Sequence, residues 1–216
     1  MDEQARARRA YDNRGRAEQA RRGRRQILGV AHDLLLAQGY RATTMADVAR
    51  GAGVSVETVY KAFGTKAALA KAVYDVALVG DDEPVPLAER PEIQAMIADP
   101  DPASKLRRYA ALARALAERT GPLTGVLLAG ARSGGDPDLE AFAATIDGER
   151  LIGATGVVRN LTATAGLRPG LDPDQARDLV WALISPDLHR MLVVERGWSS
   201  DAYERWLGEA LVASLL

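Results

Sequence analysis

The sequence contains no cysteine, which excludes a disulfide framework and any thiolate metal site. Its two histidines, His32 and His189, stand far apart and without ligand-like neighbours, so no metal centre is expected. No apolar run reaches the roughly 18 residues that a membrane-spanning helix requires. The N-terminus is arginine-rich but lacks the apolar block of a signal peptide, so a cytoplasmic location without a membrane partner is expected. Strict alternation of apolar and polar residues is missing throughout, which leaves no strand candidates. No Ser/His/Asp set, carboxylate pair or ligand cluster stands out, so neither catalysis nor a cofactor is expected. Gly153-Ala-Thr-Gly156 has glycines of the kind found in phosphate loops. It lies inside a helical stretch with no strand before it, and a nucleotide site is rejected.

What is present is an all-α pattern with an uneven charge. The chain has 216 residues, 47% of them hydrophobic, enough to bury a real core. Its net charge of −1 hides two opposite halves. Residues 1–66 carry 13 Lys and Arg against 7 Asp and Glu, whereas residues 67–216 carry 15 against 22. A basic front on an acidic body suits a reader of DNA joined to a part that does not touch DNA. Residues 1–23 form an expected flexible basic arm, with Arg6, Arg8, Arg9, Arg14, Arg16, Arg21 and Arg22 among alanines. Such an arm either stays solvated or follows phosphates and the minor groove. A first firm helix is expected over 24–38, its stripe being Ile27, Leu28, Ala31, Leu34 and Leu35, with Gly39 as its C′ glycine and His32 off the stripe.

The stretch Thr43–Leu69 (TTMADVARGAGVSVETVYKAFGTKAAL) organises the rest. Thr44 caps a short helix, with Asp47 completing a capping-box-like start, and Met45, Val48, Ala49 and Ala52 recur on one face. Gly51 and Gly53 supply the turn. Ser55 is a second N-cap and Gly64 ends the helix it opens, while Thr65 is a third N-cap. Two helices across a tight turn form a helix-turn-helix, whose second helix enters the major groove. Thr43 and Thr44 are candidate phosphate contacts. Ser55, Val56, Glu57, Thr58 and Lys61 stand where side chains reach base edges.

The word VSVETVYKAF followed by Gly-Thr-Lys resembles the DNA-binding domain of tetracycline-repressor-like (TetR-family) regulators, through Val54, Ser55, Thr58, Val59, Tyr60, Phe63, Thr65 and Lys66. The motif-bearing resemblance covers about residues 24–79. It implies phosphate contacts for Tyr60 and Lys66, a recognition role for the Ser55–Lys61 helix, and a helix from Thr65 to Val79 linking head to body. Two residues depart from the pattern. Glu57 stands where the family often has glycine, so it must meet a cytosine amino group or face away, and Ala67 replaces a common glutamate.

The expected divisions are a DNA-binding domain with its connecting helix at 24–79 and a helical effector-binding and dimerisation domain at 80–216. Asp81–Pro91 reads as an irregular joint. Helices are then expected over 91–98, 103–119, 122–131, 137–165, 174–197 with a break at Ser185-Pro186, and 199–216, the last opened by Asp201 and Glu204. Tyr109, Phe142, Ile146, Trp181 and His189 are large enough to line an effector cavity, though each reads first as a core residue. The apolar stripe of the last helix (Tyr203, Trp206, Leu207, Ala210, Leu211), with Leu188 and Leu192, must cover either its own core or a second copy across a two-fold axis. The resemblance implies a homodimer on a palindromic double-stranded DNA operator, acting as a repressor released by a small molecule. The alternative is an architectural or adaptor DNA-binding protein with the same head and no effector.

Overall fold

The computed structural model describes residues 3–80, 85–132, 134 and 136–216, with side chains from residue 18 onward. It is all-α, and no strand occurs among the described residues. The chain divides into two compact units, a head through Val76 and a body from Ala77.

In the head, α1 spans Glu3–Ala42, α2 Met45–Gly51, α3 Val56–Phe63 and α4 Lys66–Val79. The first helix thus starts well before residue 24. Its early turns are built from Ala, Arg, Glu and Gln, the residues that lose least on entering a helix. The arginine side chains up to position 16 lie outside the described residues. Gly39 (φ 81°, ψ 170°) interrupts the run at the position expected for a C′ glycine. Ile27, Leu28, Ala31 and Leu35 are buried with Tyr40, Met45, Val48, Ala49, Ala52, Val59 and Phe63 in the head, while Leu34 is only half-buried.

The two turn glycines have different tasks. Gly53 (φ +64°) takes the left-handed conformation that redirects the chain between α2 and α3. Gly51 is helical instead. A Cβ there would lie 2.6 Å from Val30 Cγ1, so its bareness lets α1 approach α2.

The body comprises a 3₁₀ turn at Leu87–Glu89 within the expected irregular joint, then α5 (Pro91–Ala98), α6 (Pro102–Arg132), α7 (Pro137–Thr164), α8 (Pro173–Leu183), α9 (Pro186–His189), a π-helical turn over Arg190–Glu195, and α10 (Ser200–Leu215). The first four residues of the joint, 81–84, lie outside the described residues, as do two of the expected break at 133–137. Two expectations are corrected. Two helices at 103–119 and 122–131 are one, running through Pro122. Gly121 has no Cβ to crowd the proline ring, and the Thr120 and Thr124 hydroxyls donate to the carbonyls of Leu116 (2.8 Å) and Gly121 (3.1 Å). The expected break at Ser185-Pro186 is present, and beyond it the chain continues as α9 and then as a wider π turn, with the Arg196 N–H donating to Met191 O at 3.1 Å. The cap of α10 is Ser199, whose hydroxyl accepts from the Ala202 N–H at 3.2 Å, in place of Asp201.

The body core gathers Leu106, Tyr109, Ala110, Val157, Leu161, Ala176, Val180, Tyr203, Leu207, Leu211 and Leu215. The α10 helix packs chiefly on α6, and α7 on α6 and α8. Arg107–Glu209 (2.8 Å) and Arg114–Glu204 (2.7 Å) tie α6 to α10 at the rim.

Candidate nucleic-acid interface

The head presents α3 edge-on to solvent. Val59 (0% exposed) and Phe63 (9%) anchor it to the core, leaving Ser55, Glu57, Thr58, Tyr60 and Lys61 exposed and Val56 half-buried. This division follows from the sequence: Val59 and Phe63 are four apart and share one face, so the intervening polar residues turn outward. Ser55 caps the helix as expected, its hydroxyl accepting from the Thr58 N–H at 3.2 Å and lying 3.1 Å from the Thr58 hydroxyl. The Glu57 N–H and the Ser55 hydroxyl hold the Glu57 carboxyl below its ordinary range. The acid departing from the family pattern is thereby turned toward the start of its own helix, where the helix dipole favours it.

At α2 the capping box is complete. The Thr44 hydroxyl donates to Asp47 (2.6 Å) and accepts from the Asp47 N–H (3.1 Å), and Arg50 pairs with the same carboxylate. The Thr44 hydroxyl, with Arg50 beside it, depresses the Asp47 pKa. Thr44 is exposed at the helix start. Thr43 is not: it is 2% exposed, its hydroxyl donates to Gly39 O at 2.8 Å and its N–H to the same oxygen at 3.3 Å. The expected phosphate contact from Thr43 therefore fails, because both its donors already tie α2 to the end of α1.

Lys66 is half-buried. Its ammonium donates to Tyr40 O at 3.1 Å and sits 4.1 Å from the centroid of the Tyr40 ring. Thr65 caps α4 by accepting from the Ala68 N–H at 3.1 Å. Sequence reasoning missed Tyr40, and it missed Arg24, whose guanidinium lies 4.4 Å from the Phe63 ring centroid and donates to Ala62 O at 3.5 Å. Both brace the ends of α3 and α4 against α1. The spacing of the motif holds no signal for either, because each partner lies on a different helix.

In the body, Tyr109, Phe142, Ile146 and His189 are buried and Trp181 is half-buried. Tyr203, Leu207 and Leu211 are 1%, 0% and 0% exposed within a single chain. They pack in the core with α6, which leaves them no surface for a partner and corrects their expected place at a dimer face. Leu188, Leu192, Trp206 and Ala210 are half-buried, Leu192 and Trp206 against the same core. Large apolar residues exposed in the body include Leu151 and Ile152 (73% exposed) on α7, Leu179 on α8, and Met191 and Val194 (71%) on the π turn. Leu151 and Ile152 could have been recognised, since neither falls on the Leu139, Phe142, Ile146 stripe that α7 turns inward.

A short helix capped beside a tight turn, its outer face polar and its inner face locked to two neighbours, defines a helix-turn-helix DNA-binding protein. Residues 27–73 match the model of the bacterial regulatory proteins of the tetR family. Over 48 residues the chain is 44% identical to the HTH-type transcriptional regulator AlkX of Mycobacterium tuberculosis, a match spanning 22% of this chain and 23% of that protein. Solved structures extend the likeness in fold. NalD of Pseudomonas aeruginosa, the secondary repressor of the MexAB-OprM multidrug efflux pump, superposes with a TM-score of 0.67 at 22% identity, covering 92% of this chain and 98% of NalD. FadR of Bacillus subtilis, solved with stearoyl-CoA, gives 0.67 at 18% identity over 88% and 98%. Residues 27–73 thus form a DNA-binding domain of the tetR type, and the chain as a whole shares its fold with these two solved regulators.

Proposed function

We propose that the chain is a cytoplasmic homodimeric repressor whose two α3 helices enter successive major grooves of a palindromic operator. The observation that carries this reading is the exposed row Ser55, Glu57, Thr58, Tyr60 and Lys61 above the buried Val59 and Phe63. Half-sites lie about 34–36 Å apart, or a multiple of that. Lys61 and the Thr58 methyl are the base-edge readers, Ser55 and Val56 line the approach, and Thr44 and Tyr60 lie toward the phosphates, while Lys66 holds α4 to Tyr40. The second copy pairs through α7 and α8, where Leu151, Ile152 and Leu179 leave apolar surface in water. A small molecule in the body lowers operator affinity by binding one of two states better, with α4 as the covalent link between the two units. The domain limits that go with this function are 24–79 for the head with its connecting helix and 80–216 for the effector and dimerisation part.

Selection of genomic fragments by the purified protein at a fixed salt concentration tests the operator. A two-fold symmetric motif is expected; weak, salt-sensitive binding without a motif refutes it and favours an architectural DNA binder. Ile152→Asp should give a monomer by sedimentation and weaken operator binding. A dimer that survives this change removes the α7 face.

A further inference from the structure

One part of the body core brings polar side chains of α6, α7, α9 and α10 near one another. Tyr109 of α6 and Tyr203 of α10 are 7% and 1% exposed. His189, at the end of α9, is 6% exposed with an unpartnered Nε2, and Arg150 of α7 has a buried Nε without a partner. These groups are neighbours. The His189 ring stands edge-on to Tyr203 with centroids 5.0 Å apart. The Arg150 guanidinium lies 5.0 Å from the Trp181 ring centroid and donates to Trp181 O at 2.6 Å. The Tyr109 hydroxyl faces α7 at Gly153, 3.7 Å from where a Cβ would stand and three residues along from Arg150. Trp181 and Trp206 pack on the cluster that contains both tyrosines.

The protonation states make this a set of donors. Burial raises both phenols, Tyr203 to about 12, and the Arg150 charge opposes the rise at each, so its field reaches both hydroxyls. Burial also depresses His189, which remains a neutral imidazole at neutral pH. The acids nearby are engaged: Asp147, itself 55% exposed, with another edge of Arg150, and Glu118 and Glu204 with Arg114. An unmade bond to a buried donor costs about 1–3 kcal/mol, and native interiors hold few. Two such atoms, His189 Nε2 and the Nε of the charged Arg150, with two phenols beside them, call for an acceptor-rich anion whose remainder is apolar. His189 leads directly into the π turn that follows α9, a backbone irregularity of the sort found at functional sites.

We infer that the core between α6, α7, α9 and α10 binds an apolar monocarboxylate. Arg150, Tyr109 and Tyr203 hold the carboxylate, His189 Nε2 completes its shell, and the tail displaces side chains beneath the π turn. This deepens the effector reading and rests on it only for the consequence at the operator, because binding itself is measurable without DNA.

All three tryptophans, Trp181, Trp198 and Trp206, lie in the body and report on the site by fluorescence. The full-length protein is titrated with decanoate below its micelle concentration and with naphthoate, each against its neutral counterpart, decanol or naphthamide. At least one acid should bind saturably and about tenfold more tightly than its neutral partner, a difference of about 1.4 kcal/mol. Arg150→Gln should abolish that preference, and Tyr109→Phe with Tyr203→Phe should reduce it, circular dichroism certifying the fold. Binding of neither acid, equal binding of acid and neutral analogue, or an intact preference in folded R150Q overturns the site. If the acids bind but leave operator affinity unchanged, the site stands and the effector reading falls. If an acid still releases the operator from R150Q, the reverse holds.

Discussion

Replacing Lys66 by methionine separates two roles that its place in the motif does not distinguish. Its ammonium donates to Tyr40 O at 3.1 Å and stands 4.1 Å from the Tyr40 ring centroid, so it ties the start of α4 to the end of α1. A hydrogen bond from a charged donor contributes about 1.5–3 kcal/mol and a partly exposed cation–π contact about 0.5–1. Because Lys66 is only half-buried, the lower ends apply, giving about 2 kcal/mol. In a unit of this size each kcal/mol moves the midpoint by about 4–8 °C, so the head of Lys66→Met should melt about 8–16 °C lower. The two units can be followed separately. The head has no tryptophan, so tryptophan emission reports the body alone, while far-ultraviolet circular dichroism reports both. The salt dependence of operator binding is measured alongside, below the melting range. A head midpoint unchanged within about 2 °C, with a salt slope flatter by about one unit, would refute the structural role and make Lys66 a phosphate contact.

Thr43→Val should cost the head about 1 kcal/mol by deleting the bond to Gly39 O, with operator affinity unchanged while the head stays folded; a weaker complex at equal stability would return Thr43 to the DNA. Gly51→Val forces a methine against Val30 and should destabilise the head by about 1–3 kcal/mol, seen as faster hydrogen exchange in α2. Unaltered exchange would show that α1 and α2 separate freely. His189 titrates below its ordinary value of 6.5 because of burial, with Glu118 opposing and Arg114 reinforcing the shift. The unfolded chain therefore takes up that proton first, and body stability should fall as pH drops below about 6.5, levelling beneath the folded value. His189→Gln should flatten this part of the pH–stability curve measured by tryptophan emission, and an identical curve would remove His189 as its source.

Most of the head was legible because its determinants are local. Thr44, Ser55 and Thr65 cap where their spacing predicts, and Val59 and Phe63 turn inward together. Contacts between helices were not legible: nothing in the order of residues puts Tyr40 under Lys66 or Val30 against Gly51. In the body, Pro122 reads as a boundary by the rule for isolated helices, and packing of α6 on α7 and α10 overrides it. The stripe of α10 is visible as a stripe, but periodicity does not tell what covers it. The outward face of α7 was open to the same periodicity, since Leu151 and Ile152 fall off the row of Leu139, Phe142 and Ile146. The donors around His189 are invisible in sequence, since an unpartnered atom is defined only by what fails to surround it.

The α6–α10 pairing has a consequence for how the molecule comes into being. Its two ion pairs join residues 90 and 102 positions apart, whereas the Arg24 bond that closes the head spans 38. Short loops close early, and distant partners must search before they are rewarded. Loop closure alone therefore favours a head that is folded before the two ends of the α6–α10 pair have met.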